Sequence, residues 1–388
     1  MDYKTQIFNI NSSTVIKNIT KDSINYLLYN IFDKTKFNFI VNVVNDNFEL
    51  ELTKKEMNFY NSEIQIISFP EWNTIPYDVN SPQLKIQIDR MEAIYKLLNY
   101  QDLYKNKKVL LLISKNALAQ KVINKKDFSF INLKINQEIS LEQLRELLKN
   151  NCYNFRETAT ILGDYSVNNN VVDLITFDNK CYRITLKNNK IESIKSFNPE
   201  SQISSTDHEE IFVLPVKELI FNENNIQNFK QNYRNLFGTP LENDFLYQNI
   251  SEKKLYNGIE NWLPLFYDNQ LESILNYIPS NAIITYKSNL REEINKFLDQ
   301  VNKYYNLRLL DLEHKENKEV YNPIKPNTLY LNKDFFKSMN DTFLNIVFDI
   351  NDTIKNEREM SLDVKPIPNF YKESKEVFKT LSEFLQNY

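Results

Sequence analysis

Short apolar runs alternate with stretches whose apolar positions recur at helical spacing through the first third of the chain. "FNFIVNVV" (37–44), "EIQIISFP" (63–70) and "VLLLIS" (109–114) are rich in Ile, Val and Phe and predict strands. Among the helical stretches between them, "QLKIQIDRMEAIYKLL" (83–98) predicts a helix that buries Ile88, Met91, Ala93, Tyr95 and Leu98. Alternation of this kind predicts an α/β domain around a largely parallel sheet.

The texture changes near residue 126. One helix, "LEQLRELLKN" (141–150), precedes two strand–turn–strand patterns, "GDYSVNNNVVDLI" (163–175) and "CYRITLKNNKIESIKSF" (181–197). In the second, Asn188-Asn189 suits a two-residue turn with both residues at positive φ. This middle region predicts a small α+β domain. From about 214 the helix–strand alternation returns. "NIQNFKQNYRNLFG" (225–238) reads as a helix stopped by Gly238, with Pro240 just beyond. "AIITY" (282–286) and "TLYLN" (328–332) predict strands around a helix over 288–305, with Ser288 or Asn289 as its N-cap. A Pro-containing connector, "SLDVKPIPNF" (361–370), leads to a last amphipathic stretch with Val377, Phe378, Leu381, Phe384 and Leu385 on one helical face. The expected division is therefore 1–125, 126–213, 214–335 and 336–388.

Composition narrows the chemistry. With 388 residues, 42% hydrophobic and 13% aromatic, the chain is long enough for two or three globular domains. Its net charge of −4 argues against a broad non-specific nucleic-acid footprint, which calls for a basic domain. No apolar run reaches the about 20 residues of a membrane span. The opening "MDYKTQIFNINSS" has no secretory pattern. Two cysteines in unrelated contexts, Cys152 and Cys181, fit a reduced cytoplasmic setting. Asn and Lys abound throughout, so runs of them carry little information.

Only three glycines occur, Gly163, Gly238 and Gly258, far apart in sequence. A phosphate-cradling loop needs several together, so that backbone N–H groups can converge on the anion. Nucleotide hydrolysis by the common routes is therefore not expected. His208 and His314 lie in polar stretches with no Cys or second His nearby, which predicts solvated histidines and no metal site. "STDHEEIFVLP" resembles an acidic ATPase box, but its acids precede the apolar run. "LNIVFDIND" has the order right, with Asp349 after an apolar run, yet no phosphate loop for it to serve. Both read as structural, and no nucleophile context stands out. No catalytic residue and no cofactor are expected.

"FPEWNTIPYDVNSPQLKIQIDRMEAIYKL" (69–97) resembles the N-terminal module of the bacterial transcription-repair coupling factor family, Mfd. Phe69, Pro70, Trp72, Pro76, Tyr77, Asp78, Ser81, Pro82 and Arg90 fit its pattern, while Asn73 replaces the usual Glu. "GDYSVNNNVVDLI", "YRITLKNNKIESIKSFNPESQ" and "GIENWLPLFY" (258–267) recur in the same order, so the resemblance covers roughly 60–335.

It implies a UvrB-like module. Residues 1–125 would form a degenerate RecA-like (P-loop-NTPase-like) α/β domain lacking the P-loop, and 126–213 an inserted small α+β domain that contacts UvrA. Residues 214–335 would pack back on the first portion, and 336–388 would be a connector and the start of the next domain. UvrB's long DNA-clamping hairpin has no room between Tyr77 and Arg90. The family's polymerase-binding and motor parts have no counterpart in this sequence, so RNA polymerase and DNA would be met only through the remainder of the factor. In the family, UvrA is engaged by an Arg, a second Arg and a Phe, which fall here on Asn168, Arg183 and Lys187. Only Arg183 is kept; a bidentate cation becomes Asn168 and an aromatic becomes Lys187. The expectation is a non-catalytic UvrA-recruiting repair module. Its alternative is a remnant that keeps the fold with weakened or lost UvrA binding. An independent nucleotide-dependent enzyme stands last.

Overall fold

The computed structural model describes residues 11–365 apart from 106, 269, 314–318, 355–357 and 363, together with Ser382 and Gln386. Its larger layer is built from β1 (Thr14–Lys17), α1 (Ile24–Lys34), β2 (Phe39–Val44), α2 (Asn47–Tyr60), β3 (Gln65–Phe69), α3 (Leu84–Leu98) and β4 (Val109–Ser114). Every residue of β2 and β4 is buried, as expected of inner parallel strands covered on both faces. The one amide among them, Asn42, accepts a 2.8 Å hydrogen bond from the Thr285 hydroxyl of a neighbouring strand.

The middle region supplies β5 (Ile131–Lys134), α4 (Leu141–Asn150), β6 (Asn154–Phe155), β7 (Asp164–Asn168), β8 (Val171–Ile175), β9 (Cys181–Lys187), β10 (Lys190–Phe197), β11 (Ser204–His208) and β12 (Glu210–Val213). Beyond them lie α5 (Glu223–Phe237), β13 (Ile283–Lys287), α6 (Leu290–Glu313), β14 (Leu344–Phe348) and β15 (Glu359–Ser361).

Seven parallel strands form the main sheet in the order β15-β1-β14-β13-β2-β4-β3. Residues from both ends of the chain thus share one sheet with the first third. On one face, Leu27, Leu28 and Ile31 of α1 and Leu50 and Met57 of α2 meet Ile16, Ile40, Leu110 and Ile346. On the other, Ile88, Met91, Ile94 and Leu97 of α3 pack with Val41, Leu111 and Ile113. That second cluster runs without interruption into the small domain through Leu144, Leu148, Ile184 and Ile194.

Sequence-based expectations differ from the structure in the last third. "TLYLN" is not a strand: Pro326–Leu329 makes a helical turn with Pro326 at its start, and Tyr330 forms only an isolated bridge to Gln120. Proline's fixed φ suits a first helical turn, and local preference prevails there. The strand that follows β13 in the sheet is instead β14, paired from Ile283↔Leu344 to Lys287↔Phe348. It lies inside 336–388, which the expected division had set apart from the α/β layer. α6 runs to Glu313, past its expected end at 305. The amphipathic face at 377–385 lies outside the described residues.

The C-terminal end of α1 is closed from a distant segment. The Lys108 ammonium donates to the carbonyls of Phe32 (2.8 Å), Asp33 (2.9 Å) and Thr35 (2.6 Å). A cation at unpaired helix-terminal carbonyls is favourable both as a hydrogen-bond donor and against the helix dipole. Lys108→Met keeps the stem and removes the charge. It is expected to lower stability by roughly 1–2 kcal/mol in urea unfolding, with an unchanged m-value.

Candidate partner-binding site

The small domain is a six-stranded sheet in the order β11-β10-β9-β8-β7-β6. Helix α4 starts with a reciprocal capping box between Ser140 and Gln143 and covers one face of the sheet through Leu144 and Leu148. Val172, Leu174, Ile184, Ile191 and Ile194 are buried beneath it. The two turns are made by asparagines that tolerate positive φ: Asn169 at 51°, and Asn188 and Asn189 at 52° and 57°. The expectation for the second turn is met in both residues.

The opposite face carries the three positions read from the sequence. Register places Ser166 opposite Asp173 and Asp173 opposite Arg183, so Asn168, two residues along from Ser166, shares Arg183's face. Asn168 is exposed at the end of β7, and Lys187 is exposed at the end of β9, 3.2 Å from Glu192. A backbone bond of 2.8 Å from Leu186 N–H to the Asn170 carbonyl ties the first turn to β9.

Arg183 is not a free cation. Its guanidinium donates to both Asp173 oxygens (2.7 and 2.8 Å), to the Gln202 backbone carbonyl (3.0 Å) and to Gln202 Oε1 (2.9 Å). It also lies 4.9 Å from the centre of the Phe197 ring. The hydrogen bonds to Asp173 raise its pKa further above the ordinary arginine value. Asp173 and Gln202 were not singled out by sequence. Asp173 could have been, because the alternating pattern of two adjacent hairpins puts it opposite Arg183. Gln202 could not, because a loop places it there.

His208 departs from its expected solvated role. It lies on β11, its Nε2 is 2.6 Å from the Ser196 hydroxyl, and its ring meets Tyr182 edge-on at 5.3 Å. His314 lies outside the described residues. Asp349 is buried and accepts from the Ile354 N–H (2.8 Å) and the Thr353 hydroxyl (3.0 Å), so it organises the turn after β14. Both cysteines are free and buried, and burial pushes the Cys152 thiol up to about 12.

The stretch 69–90 contributes Pro70, Lys85, Ile86 and Asp89 to a cleft shared with α2 and β3. It forms the joint between three parts of the chain. Arg90, fully buried, pairs with buried Glu218, donates to the Pro70 carbonyl at 2.9 Å and stacks 4.3 Å from the centre of the Phe69 ring. Ser81 donates to Glu260 (2.7 Å) and accepts from the Gly258 N–H (2.9 Å), while Glu260 also pairs with Lys217 at 2.6 Å. A side chain at Gly258 would meet the Val79 carbonyl at 2.8 Å, so this close approach, at φ 78°, requires glycine. Tyr77 donates to the Ile324 carbonyl at 2.9 Å, and Arg308 donates back to Tyr77's own carbonyl at 2.8 Å.

The chain is thus an α/β protein with a parallel central sheet and a second sheet that is antiparallel except for the parallel pair β6–β7, locked together at this joint. Residues 131–219 match the family model described as "UvrB interaction domain". The chain is 30% identical over 350 residues to the transcription-repair-coupling factor of Rickettsia typhi, covering 90% of this chain and 30% of that protein. To that of Rickettsia conorii it is 28% identical over 363 residues, covering 93% and 31%. To that of Escherichia coli K12 it is 26% identical over 238 residues, covering 60% and 20%. Together these matches support an N-terminal fragment of a transcription-repair-coupling factor. It spans about a third or less of the length of these relatives. Among the described residues, no helix is long and apolar enough to cross a membrane.

Two predictions follow from the joint. Arg90→Met leaves Glu218 buried without its cation and is expected to cost about 3–5 kcal/mol. The double change with Glu218→Leu restores most of that in equilibrium unfolding. Glu71, at the exit of β3, is held by burial with its carboxyl raised to about 7. Its folded form therefore prefers the proton, and the stability this contributes is complete below the ordinary value of 4.5 and lost as pH rises through about 7. Glu71→Gln is expected to flatten that slope and to raise stability at pH 8 by roughly 1–3 kcal/mol.

Proposed function

We propose that this chain is a non-catalytic recruiting module that binds UvrA through the outer face of its small sheet, within transcription-coupled repair. The observation that carries the reading is the match of 131–219 to the UvrB interaction domain. Asn168 and Arg183 sharing one face, with Lys187 exposed at the end of Arg183's strand, supports it. RNA polymerase and DNA would be engaged through parts of the factor beyond this segment. Two buried free thiols fit a reduced cytoplasmic setting.

The junction where β2 leads into α2 without a phosphate loop supports the absence of catalysis. There, the Asp46 carboxylate accepts from the Glu49 N–H at 2.8 Å, and the Glu49 carboxylate accepts from the Asn45 N–H at 2.9 Å. Glu49 also pairs with Lys287. Lys115, following β4, pairs with Glu293 at 3.0 Å. Carboxylates at the start of α2 repel an anion, and the lysines that could offset them are already matched. A ligand-free RecA-like scaffold is the reading this supports.

One arrangement favours a second reading, a module whose UvrA binding is reduced. Asn168 is neutral and Arg183 is held by its own domain. Calorimetric titration of the 388-residue chain with UvrA decides between them: the recruiting reading expects Kd of about 10 μM or tighter, and no heat of binding at higher concentration sinks it. Saturable ATP binding in the same instrument would overturn the non-catalytic assignment.

A further inference from the structure

Helix α2 turns Leu50, Thr53 and Met57 inward. On the side turned away from them it carries Phe48, 80% exposed, Leu52, 43% exposed, and Phe59, 86% exposed. These three stand at i, i+4 and i+11, with exposed Glu51, Lys55 and Asn58 between them, so they form one outer stripe. Single exposed apolar side chains are ordinary, whereas a row of them on one helix marks a contact. The far end of the row is ordered in advance. Tyr60 meets Phe59 edge-on at 5.9 Å and Tyr26 of α1 at 5.8 Å, and it stacks on Tyr29 at 5.2 Å.

The charges on this face are complementary to themselves. Glu51 precedes Lys55 by one helical turn, and neither has an ion-pair partner among the described residues. Two copies of α2 packed antiparallel about a two-fold axis beside Thr53 set Glu51 of each copy opposite Lys55 of the other. In that register Leu52 meets its own counterpart at the axis, and Phe48 meets Phe59 of the second copy at both ends. With a rise of about 1.5 Å per residue, the offsets in this register stay within about 3 Å. A parallel pairing would set like charges side by side and align the two helix dipoles.

We propose that the outer face of α2 is a self-association surface, through which two copies of this chain pair antiparallel with two-fold symmetry. Leu52 lies at the axis, Phe48 packs on Phe59 at each end, and reciprocal Glu51–Lys55 ion pairs set the register. A second copy is the occupant because one helix face supplies both halves of every contact, apolar and charged, as an isologous interface requires. Its two phenylalanines and leucine expose on the order of 400 Å² per copy. With the flanking side chains the pair buries on the order of 1,000 Å², the size of a transient contact. The contact is independent of the UvrA reading. α2 lies on one face of the main sheet and the small domain continues from the other, so pairing through α2 does not use the small sheet.

The test is sedimentation equilibrium of the 388-residue chain, with melting measured for every variant. The expected result is a reversible dimer with Kd of about 10–100 μM. Phe48→Asp should weaken it at least about tenfold at an undiminished melting temperature, because an acid in the first turn of α2 suits the helix N-terminus. Glu51→Lys and Lys55→Glu should each weaken self-association at least about fivefold. An equimolar mixture of those two variants should recover the original affinity within about twofold, since both ion pairs then join unlike charges. A chain that stays monomeric to about 500 μM overturns the proposal. So does a dimer that Phe48→Asp leaves intact, or a mixture of the two charge variants that does not associate. UvrA binding is measured separately by the titration above, so the two readings fail by different results.

Discussion

The Arg90–Glu218 pair is the constraint on which the arrangement of the chain depends. Arg90 belongs to α3 of the first third, and Glu218 belongs to the segment by which the chain leaves the small domain. Both are buried, so neither charge can be left without the other. Phe69 and the Pro70 carbonyl complete the guanidinium's surroundings, and Ser81, Lys217 and Glu260 repeat the linkage one step away. The part of the sequence that most resembles the coupling-factor family is thus a joint. Its aromatic, proline and arginine positions are explained by packing, with no need for a reactive group.

Around that joint, the two sheets divide the labour. The parallel sheet is buried on both faces and ties distant parts of the chain into one layer, with β1 and β14 as neighbours although more than three hundred residues separate them. The second, largely antiparallel sheet packs one face on the common core, while the other carries a small apolar cluster at one end and polar, partly exposed side chains elsewhere. The hydrophobic cluster continues from one into the other, so the contact surface is mounted on the larger core rather than suspended from it.

Much of the fold was legible because local and global preferences agree. β4 was read to the residue as 109–114, since only a strand buried on both faces keeps six such positions. The Asn188-Asn189 turn was legible because asparagine tolerates the φ that a two-residue hairpin demands. "TLYLN" failed because its alternation is weaker than the turn set by Pro326, and β14 fell outside the expected α/β portion because its partners in the sheet are distant in sequence. Of the candidate site, the three positions were legible only through resemblance. His208 was misjudged because its polar neighbours in sequence are not its neighbours across the sheet.

By itself, the sequence determined that no glycine-rich phosphate loop exists, that two asparagine turns close two hairpins, and that Arg183 alternates with apolar residues on one strand. Those properties depend on residue type and on spacing within a few positions. Only the tertiary structure decided what Arg183 does there. Its partners lie 10 and 19 residues away; strand register brings the first within hydrogen-bond reach, and the turn after β10 brings the second. The same holds for Arg90, whose carboxylate partner is 128 residues distant. A charge is visible in a sequence; whether it is free or already matched depends on the three-dimensional neighbours that folding selects.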